Sequence, residues 1–366
     1  MRRVYLDHAA GIGNPSSVHH EGREAKKILD EARMKIGTVL HCRPKEIIFT
    51  GSGTEANNLA IFGFPKDGHM ISTNIEHHSI LRPLEKRGKV TYVPVKSNGI
   101  IDPADIARAL RPDTILVSII YANNEIGTIQ PIRAIKKAIG KVLLHTDACQ
   151  ASGYLDINVQ NLGVDLMTIN GSKVNGPKGA GALFVRRGVR LAPMILGGDQ
   201  ERGLRAGTEN PELLAEFAKV LELADARRER ESKRLTFLRD RIIKSIIKEI
   251  PGSHLNGDPI QRLPNNINIS FDNIDGEMLM LALDLKGIAV STGSACTVTS
   301  NEPSHVLRAI SPHATTPPAP LIDKGGGRGG IAGNIRMTLG HSTTKKDLEY
   351  TLEVLKKEVA KMRARS

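Results

Sequence analysis

The sequence has no tryptophan, only 3 % aromatic residues and only three cysteines in 366 residues. Each shortage excludes something. With so few rings, a stacking platform for single-stranded bases is not expected. Cys42, Cys149 and Cys296 cannot form a disulfide framework, and they show no C-x-x-C spacing of the kind structural zinc sites use. A reducing, cytoplasmic compartment is the expectation. No apolar run approaches the roughly 18 residues of a membrane span. Residues 1–11 carry Arg2, Arg3, Asp7 and His8 and no apolar stretch of signal-peptide length, so secretion is not expected.

What is present is ordinary for a globular chain: 40 % hydrophobic and 25 % charged residues. At roughly 150 residues per domain, the length fits two domains and a core that needs no staples. The net charge is 51 − 39 = +12. Half of it sits in residues 226–248, where nine basic and three acidic residues leave +6. Such a block reads first as a solvated helix face, with an acidic or nucleic-acid partner as the alternative. Direct nucleic-acid binding is not expected.

Residues 24–40 carry Ala25, Ile28, Leu29, Ala32, Ile36, Val39 and Leu40 at helical spacing. Short apolar runs at 47–50, 70–73, 90–95, 115–121, 142–145, 166–169 and 182–185 read as strands, several apolar throughout. Strands covered on both faces look like this. The long connections between them leave room for crossover helices, so an α/β fold with a mostly parallel central sheet is predicted. From Pro211 the character changes. Residues 212–250 predict a long charged helix, stopped at Pro251-Gly252. Residues 267–271, 277–285 and 345–362 then predict a smaller α+β unit. The division is placed at 228: a large domain over 13–228 and a small domain over 229–366, joined by the N-terminal segment 1–12. Residues 311–333 are rich in proline and glycine and predict a loop or flexible arm.

Ligands in open α/β sheets sit at the carboxyl ends of strands. Four polar clusters follow predicted strand ends. The first, Thr50-Gly51-Ser52-Gly53-Thr54-Glu55-Ala56-Asn57-Asn58, joins a strand to a helix. Its glycines and free N–H groups suit an anion, although it matches neither standard nucleotide motif. A tight turn with an N-cap is the alternative. The second is His145-Thr146-Asp147-Ala148-Cys149-Gln150, where Asp147 either partners a protonated ring nitrogen or caps the next helix. The third, 170–179, sets Lys173 among small residues, as a Schiff-base nucleophile or as part of a surface turn. The fourth, Ser291-Thr292-Gly293-Ser294-Ala295-Cys296-Thr297, presents a cysteine among small polar neighbours, which suits a nucleophile. Cys42 and Cys149 read instead as small buried hydrophobes. Glu76-His77-His78 and Asn123-Asn124-Glu125 add two more strand-end sets. Neighbouring histidines need not point the same way, and no metal site is expected.

Together these residues resemble the cysteine desulfurases of the NifS/IscS type, which use pyridoxal 5'-phosphate (PLP). The match runs in order through Tyr5-Leu6-Asp7, Gly13-Asn14-Pro15-Ser16-Ser17, residues 50–59, Glu76-His77, Asn123-Asn124-Glu125-Ile126-Gly127, Asp147, Gly176-Pro177-Lys178-Gly179, Glu201-Arg202-Gly203, Arg205-Ala206-Gly207-Thr208, Gly293–Thr297 and Ile335-Arg336. The resemblance implies the PLP-dependent fold type I. It implies that Lys173 holds PLP and later moves protons, that Asp147 partners the pyridine nitrogen and that His77 stacks on the ring. Gln150 and Asn124 match positions that bond the ring hydroxyl, with Asn124 also near substrate. Gly53, Thr54, Asn170 and Ser172 fall at phosphate positions. Thr208 matches a threonine reaching the phosphate of a second subunit, which implies a homodimer. Arg336 matches the grip on the substrate carboxylate. Cys296 matches the thiolate that takes sulfur from L-cysteine, giving L-alanine and a persulfide. That sulfur would pass to an acceptor protein, an iron–sulfur scaffold or a tRNA-thiolation relay. Selenocysteine lyase activity and a catalytically degenerate scaffold homologue are the alternatives.

Two of the sequence's departures from the family bear on the site, and residues 311–333 look like an insertion. Only Ala9–Ile12 joins the Tyr5-Leu6-Asp7 and Gly13–Ser17 motifs, where family members carry a helical segment. Asn170 and Ser172 stand where the family has serine and histidine, so weaker PLP retention is expected.

Overall fold

A computed structural model describes residues 3–64, 67–293, 304–311 and 333–364. A seven-stranded sheet dominates. Its strands are β1 (Ile47–Thr50), β2 (His69–Thr73), β3 (Val90–Val93), β4 (Thr114–Ile120), β5 (Leu143–Asp147), β6 (Leu166–Asn170) and β7 (Gly181–Val185), in the order β1-β7-β6-β5-β4-β2-β3. Strands β3, β2, β4, β5 and β6 run parallel, while β7 is antiparallel to both β1 and β6. The mostly parallel sheet expected from the apolar runs is present. Helices α1 (His20–Leu40), α2 (Gly53–Phe62), α3 (His78–Arg87), α4 (Pro103–Arg108), α5 (Ile132–Ile139) and α6 (Val159–Leu162) lie along it, followed by the long α7 (Pro211–Glu249).

Both faces are covered, and successive strand residues serve opposite faces. Ile47 and Phe49 join Leu29, Ile36, Val117 and Phe217 on the side of α1 and the start of α7. Ile48 joins Leu59, Ile61, Met70, Ile80 and Leu116 on the side of α2 and α3. This is why β1, β2 and β7 are buried at every position.

A second sheet, order β10-β9-β8, is antiparallel throughout: β8 (Ser253–Leu255), β9 (Asn266–Phe271) and β10 (Gly333–Thr338). The later part of α7 packs on it with α8 (Gly276–Asp284) and α10 (Lys345–Arg363), while α9 (His305–Ile310) sits against Ile75 and Ile126. Leu214, Phe217, Ala218 and Leu221 of α7 belong to the large core, whereas Leu235, Leu238, Ile242 and Ile246 belong to the small one.

Several boundaries differ from expectation. Helix α1 starts at His20 rather than 24, because the His19 ring caps it by accepting from the Gly22 N–H at 3.2 Å. Apolar periodicity begins only at Ala25 and does not register that turn. Strand β5 extends through Asp147, which pairs with Ile120 on one side and Thr168 on the other. Asp147 is thus the strand's last residue, not a loop residue. Gly333 opens β10 rather than ending the loop expected over 311–333. Residues 312–332 of that loop lie outside the described residues. Among the described residues, no helix is long and apolar enough to cross a membrane.

Candidate active site

The carboxyl ends of β4, β5 and β6 and the N-termini of α2 and α3 face the end of β10 and the loop before β9. They enclose a cavity of about 530 Å³. It is lined by Gly53, Thr54, His77, Asn124, Asp147, Gln150, Asn170, Ser172, Lys173 and Arg336. Residues from six sequence segments therefore converge. Two larger, shallower hollows, about 970 and 840 Å³, contain none of them. Thr208 is not brought here. It lies in a separate cleft of about 160 Å³ with Gly51, Arg205 and Glu209. Cys296 lies outside the described residues.

Asp147 sits at the cavity floor, 5 % exposed. Its Oδ1 accepts the Cys149 N–H at 2.9 Å, and its Oδ2 accepts from Asn57 Nδ2 at 2.7 Å. The same Asn57 nitrogen donates to Ser79 Oγ at 2.8 Å. The Ser79 hydroxyl lies 2.7 Å from His77 Nδ1, which also accepts the Ser79 N–H at 3.1 Å. Two donors therefore face Nδ1, so the ring proton belongs on Nε2. Burial lowers the His77 pKa, with Asp147 opposing, so the ring is neutral at pH 7. One buried amide thus orients both the carboxylate and the imidazole.

At another wall, Ser52 caps α2 by accepting the Glu55 N–H at 3.1 Å, and Gly53 and Thr54 begin the helix. A Cβ at Gly53 would stand 2.7 Å from Cys149 Sγ and 3.3 Å from Asn170 Cβ, so only glycine leaves this helix end clear. Asn170 Oδ1 accepts from the Ser172 N–H at 3.2 Å and from its hydroxyl at 3.3 Å. That bond shapes the short turn 171–174 and leaves Lys173 exposed. Cys149 is buried, and burial pushes its thiol pKa well up, which makes it inert as a nucleophile.

From the small sheet, Arg336 Nη1 donates to the Asn124 carbonyl at 3.1 Å. Arg336 also exchanges backbone bonds with Ser291, two residues before the last described residue on the way to Cys296.

Sequence reading missed Ser79 and Asn265, and it quoted Asn57 and Glu76 within strand-end sets without giving either a role. Asn57 stands three residues after Thr54 on α2, and that spacing was the available signal. Glu76 is fully buried; its Oε1 accepts from the Thr73 hydroxyl at 2.7 Å and the Ile120 N–H at 3.0 Å, and burial pushes its pKa to about 8. Asn57 Oδ1 and Asn265 Oδ1 are buried without a hydrogen-bond partner among the described residues, and both residues line the cavity.

The donor set fits PLP. A buried carboxylate is available for a ring N–H, an amine for an aldehyde, and an unobstructed helix N-terminus with hydroxyl and amide groups for a phosphate. The cavity is also of the size that small-molecule sites occupy, about 300–1,000 Å³.

Comparison with known proteins agrees with this geometry. Residues 1–351 match the family described as aminotransferase class-V. The cysteine desulfurase IscS of Dictyoglomus turgidum is 46 % identical, covering 99 % of this chain and 96 % of the relative. The cysteine desulfurase IscS of Methanosarcina thermophila is 44 % identical, covering 96 % of this chain and 86 % of the relative. A solved structure of a NifS-like protein superposes with a TM-score of 0.84 at 34 % identity, covering 95 % of this chain and 92 % of the other.

Proposed function

We propose that this chain, which belongs to the class-V aminotransferase family, works as a PLP-dependent cysteine desulfurase. The observation that carries this reading is the meeting of Lys173, Asp147, His77 and Arg336 around one cavity. The overall reaction moves one sulfur atom. The Cβ–S bond of L-cysteine breaks, a sulfur–sulfur bond forms at Cys296, and L-alanine leaves. Bound PLP supplies an electron sink for the charge that develops beside the substrate's amine-bearing carbon.

The chain's own residues do the rest. Lys173 anchors PLP and moves a proton. Asp147, held by Asn57 and the Cys149 N–H, would bond the protonated ring nitrogen. His77, its neutral imidazole oriented through Ser79, would help hold the PLP ring. Gly53, Thr54, Asn170 and Ser172 hold the phosphate, and Gln150 and Asn124 hold the ring hydroxyl. Arg336 takes the substrate carboxylate, for which its planar fork is suited.

Three further parts of the reading concern partners and place. Thr208, which lines a separate cleft, reaches the phosphate of a second subunit in a homodimer. The persulfide passes to an acceptor protein, an iron–sulfur scaffold or a tRNA-thiolation relay. The compartment is the cytoplasm.

The test is sulfide release from L-cysteine with a reductant and added PLP, comparing wild type with Cys296→Ser. Release by the wild type alone is expected. No release from either protein, with PLP demonstrably bound, would overturn the reading.

A further inference from the structure

Strand β9 carries two buried asparagines, Asn266 and Asn268, at i and i+2, so both face the same way. Arg336 stands directly opposite Asn268 in the antiparallel pair of β9 and β10, and so shares that face. All three side chains donate to the turn that follows β4. Asn266 Nδ2 and Asn268 Nδ2 both reach the Glu125 carbonyl, at 3.0 and 3.1 Å. Arg336 Nη1 reaches the adjacent Asn124 carbonyl at 3.1 Å. One face of the small sheet thus holds two successive carbonyls of the large domain.

Both ends of this clamp are rigid. Asn266 Oδ1 accepts from Arg262 Nη1 at 3.0 Å, and Asn268 Oδ1 accepts from Asn256 Nδ2 at 2.7 Å. The amides are therefore fixed with their NH₂ groups toward Glu125. On the other side, Asn123 Oδ1 accepts the N–H groups of Glu125 and Ile126 at 2.9 and 3.0 Å, and Asn123 Nδ2 donates to the Ile75 carbonyl at 2.8 Å. Gly127 closes the turn with φ +73°, and a Cβ there would meet Asn266 Oδ1 at 2.5 Å.

We infer that Asn268 and Asn266 are positioning residues for the substrate carboxylate. They set the distance between Arg336 on the small sheet and the large-sheet groups Lys173 and Asp147. This rests on the assignment of Arg336 to that carboxylate. The substrate is held across the two units, its amine end from the large sheet and its carboxylate from the small one. A displacement near 1 Å between them costs on the order of 10²-fold in productive geometry. Asn268 is not among the cavity-lining residues, and Asn266, which is, has its amide engaged with the Glu125 carbonyl and Arg262, so both act through Arg336.

The test is equilibrium binding of L-alanine, the product, to PLP-loaded enzyme, read from the PLP absorbance. Wild type, Asn268→Ala, Arg336→Ala and the double variant are compared. Asn268→Ala is expected to weaken L-alanine about tenfold and Arg336→Ala about a hundredfold, with the double variant within about twofold of Arg336→Ala alone. PLP affinity should be unchanged by Asn268→Ala. Wild-type binding in Asn268→Ala, or fully multiplicative losses in the double variant, would overturn the inference while leaving Arg336 in place. No loss in Arg336→Ala would overturn the assignment beneath it. If Asn268→Ala does not fold, Asn266→Ala acts on the same carbonyl, and the same pattern is expected of it.

Discussion

Asn57 donates to Asp147 Oδ2 at 2.7 Å from inside α2, three residues after Thr54. It holds the carboxylate from a position where an exposed asparagine would do nothing. Truncation to alanine removes that bond and leaves Ser79 without its donor. A buried bond to a charged group contributes about 1.5–3 kcal/mol. Asn57→Ala should therefore weaken PLP binding roughly tenfold to a hundredfold, a 1.4 kcal/mol loss being tenfold. Fluorescence titration of apoenzyme with PLP measures this, and an unchanged dissociation constant would contradict the role of Asn57.

Gly53 makes a second prediction. Gly53→Ala drives a methyl group into Cys149 Sγ, 2.7 Å away, at the mouth of the α2 N-terminus. Overpacking of this kind costs about 1–3 kcal/mol. Both urea stability and PLP affinity should fall. Adding Cys149→Ala removes the offending sulfur and should recover most of the stability. If the double variant is as unstable as the single one, the clash is not the cause.

Glu76 makes stability depend on pH. Its folded pKa, about 8, lies above its ordinary 4.5, because burial disfavours the ionised form. Below pH 4.5 the group is neutral in folded and unfolded chains alike. Between those values the unfolded chain binds fewer protons than the folded one, so stability falls as pH rises, and the loss is complete above the folded value. Glu76→Gln keeps a neutral side chain of the same shape. The urea midpoint of the wild type, taken relative to Glu76→Gln, should drop between pH 5 and pH 8. Parallel midpoints across that range would show that Glu76 ionises normally.

Ser172 makes the fourth prediction. Its hydroxyl points to Asn170 Oδ1, a neutral contact at 3.3 Å. A histidine there adds a ring N–H and, when protonated, a positive charge toward a bound phosphate. Ser172→His should lower the PLP dissociation constant, most clearly below pH 6.5 where the imidazole is charged. Equal affinity in both proteins would mean that the serine already satisfies the phosphate.

Much of the site was legible because of how parallel sheets are built. Strands buried on both faces are apolar throughout, so the polar residues that follow them stand out. Asp147, Asn170, Lys173 and Asn124 were found this way, and all line one cavity. Helix starts were less legible where the cap is a histidine, as at His19, since capping there depends on ring orientation. Strands β8 and β10 were missed because three residues, or a run opening on Gly333, carry too little alternation to register.

The sequence alone determined the α/β class, the order of the strand-end groups and the chemistry their residue types permit, because these follow from local patterning. Only the tertiary structure decided which polar residues are buried and what they face. Glu76 and Asn57 sit within polar strand-end sets and Asn266 and Asn268 on a strand, but their roles come from partners brought across the chain. Arg336 and Asn124 meet although 212 residues separate them. A hydrogen bond needs its donor and acceptor within about 3 Å, and over such a separation only the packing of the two sheets brings them there.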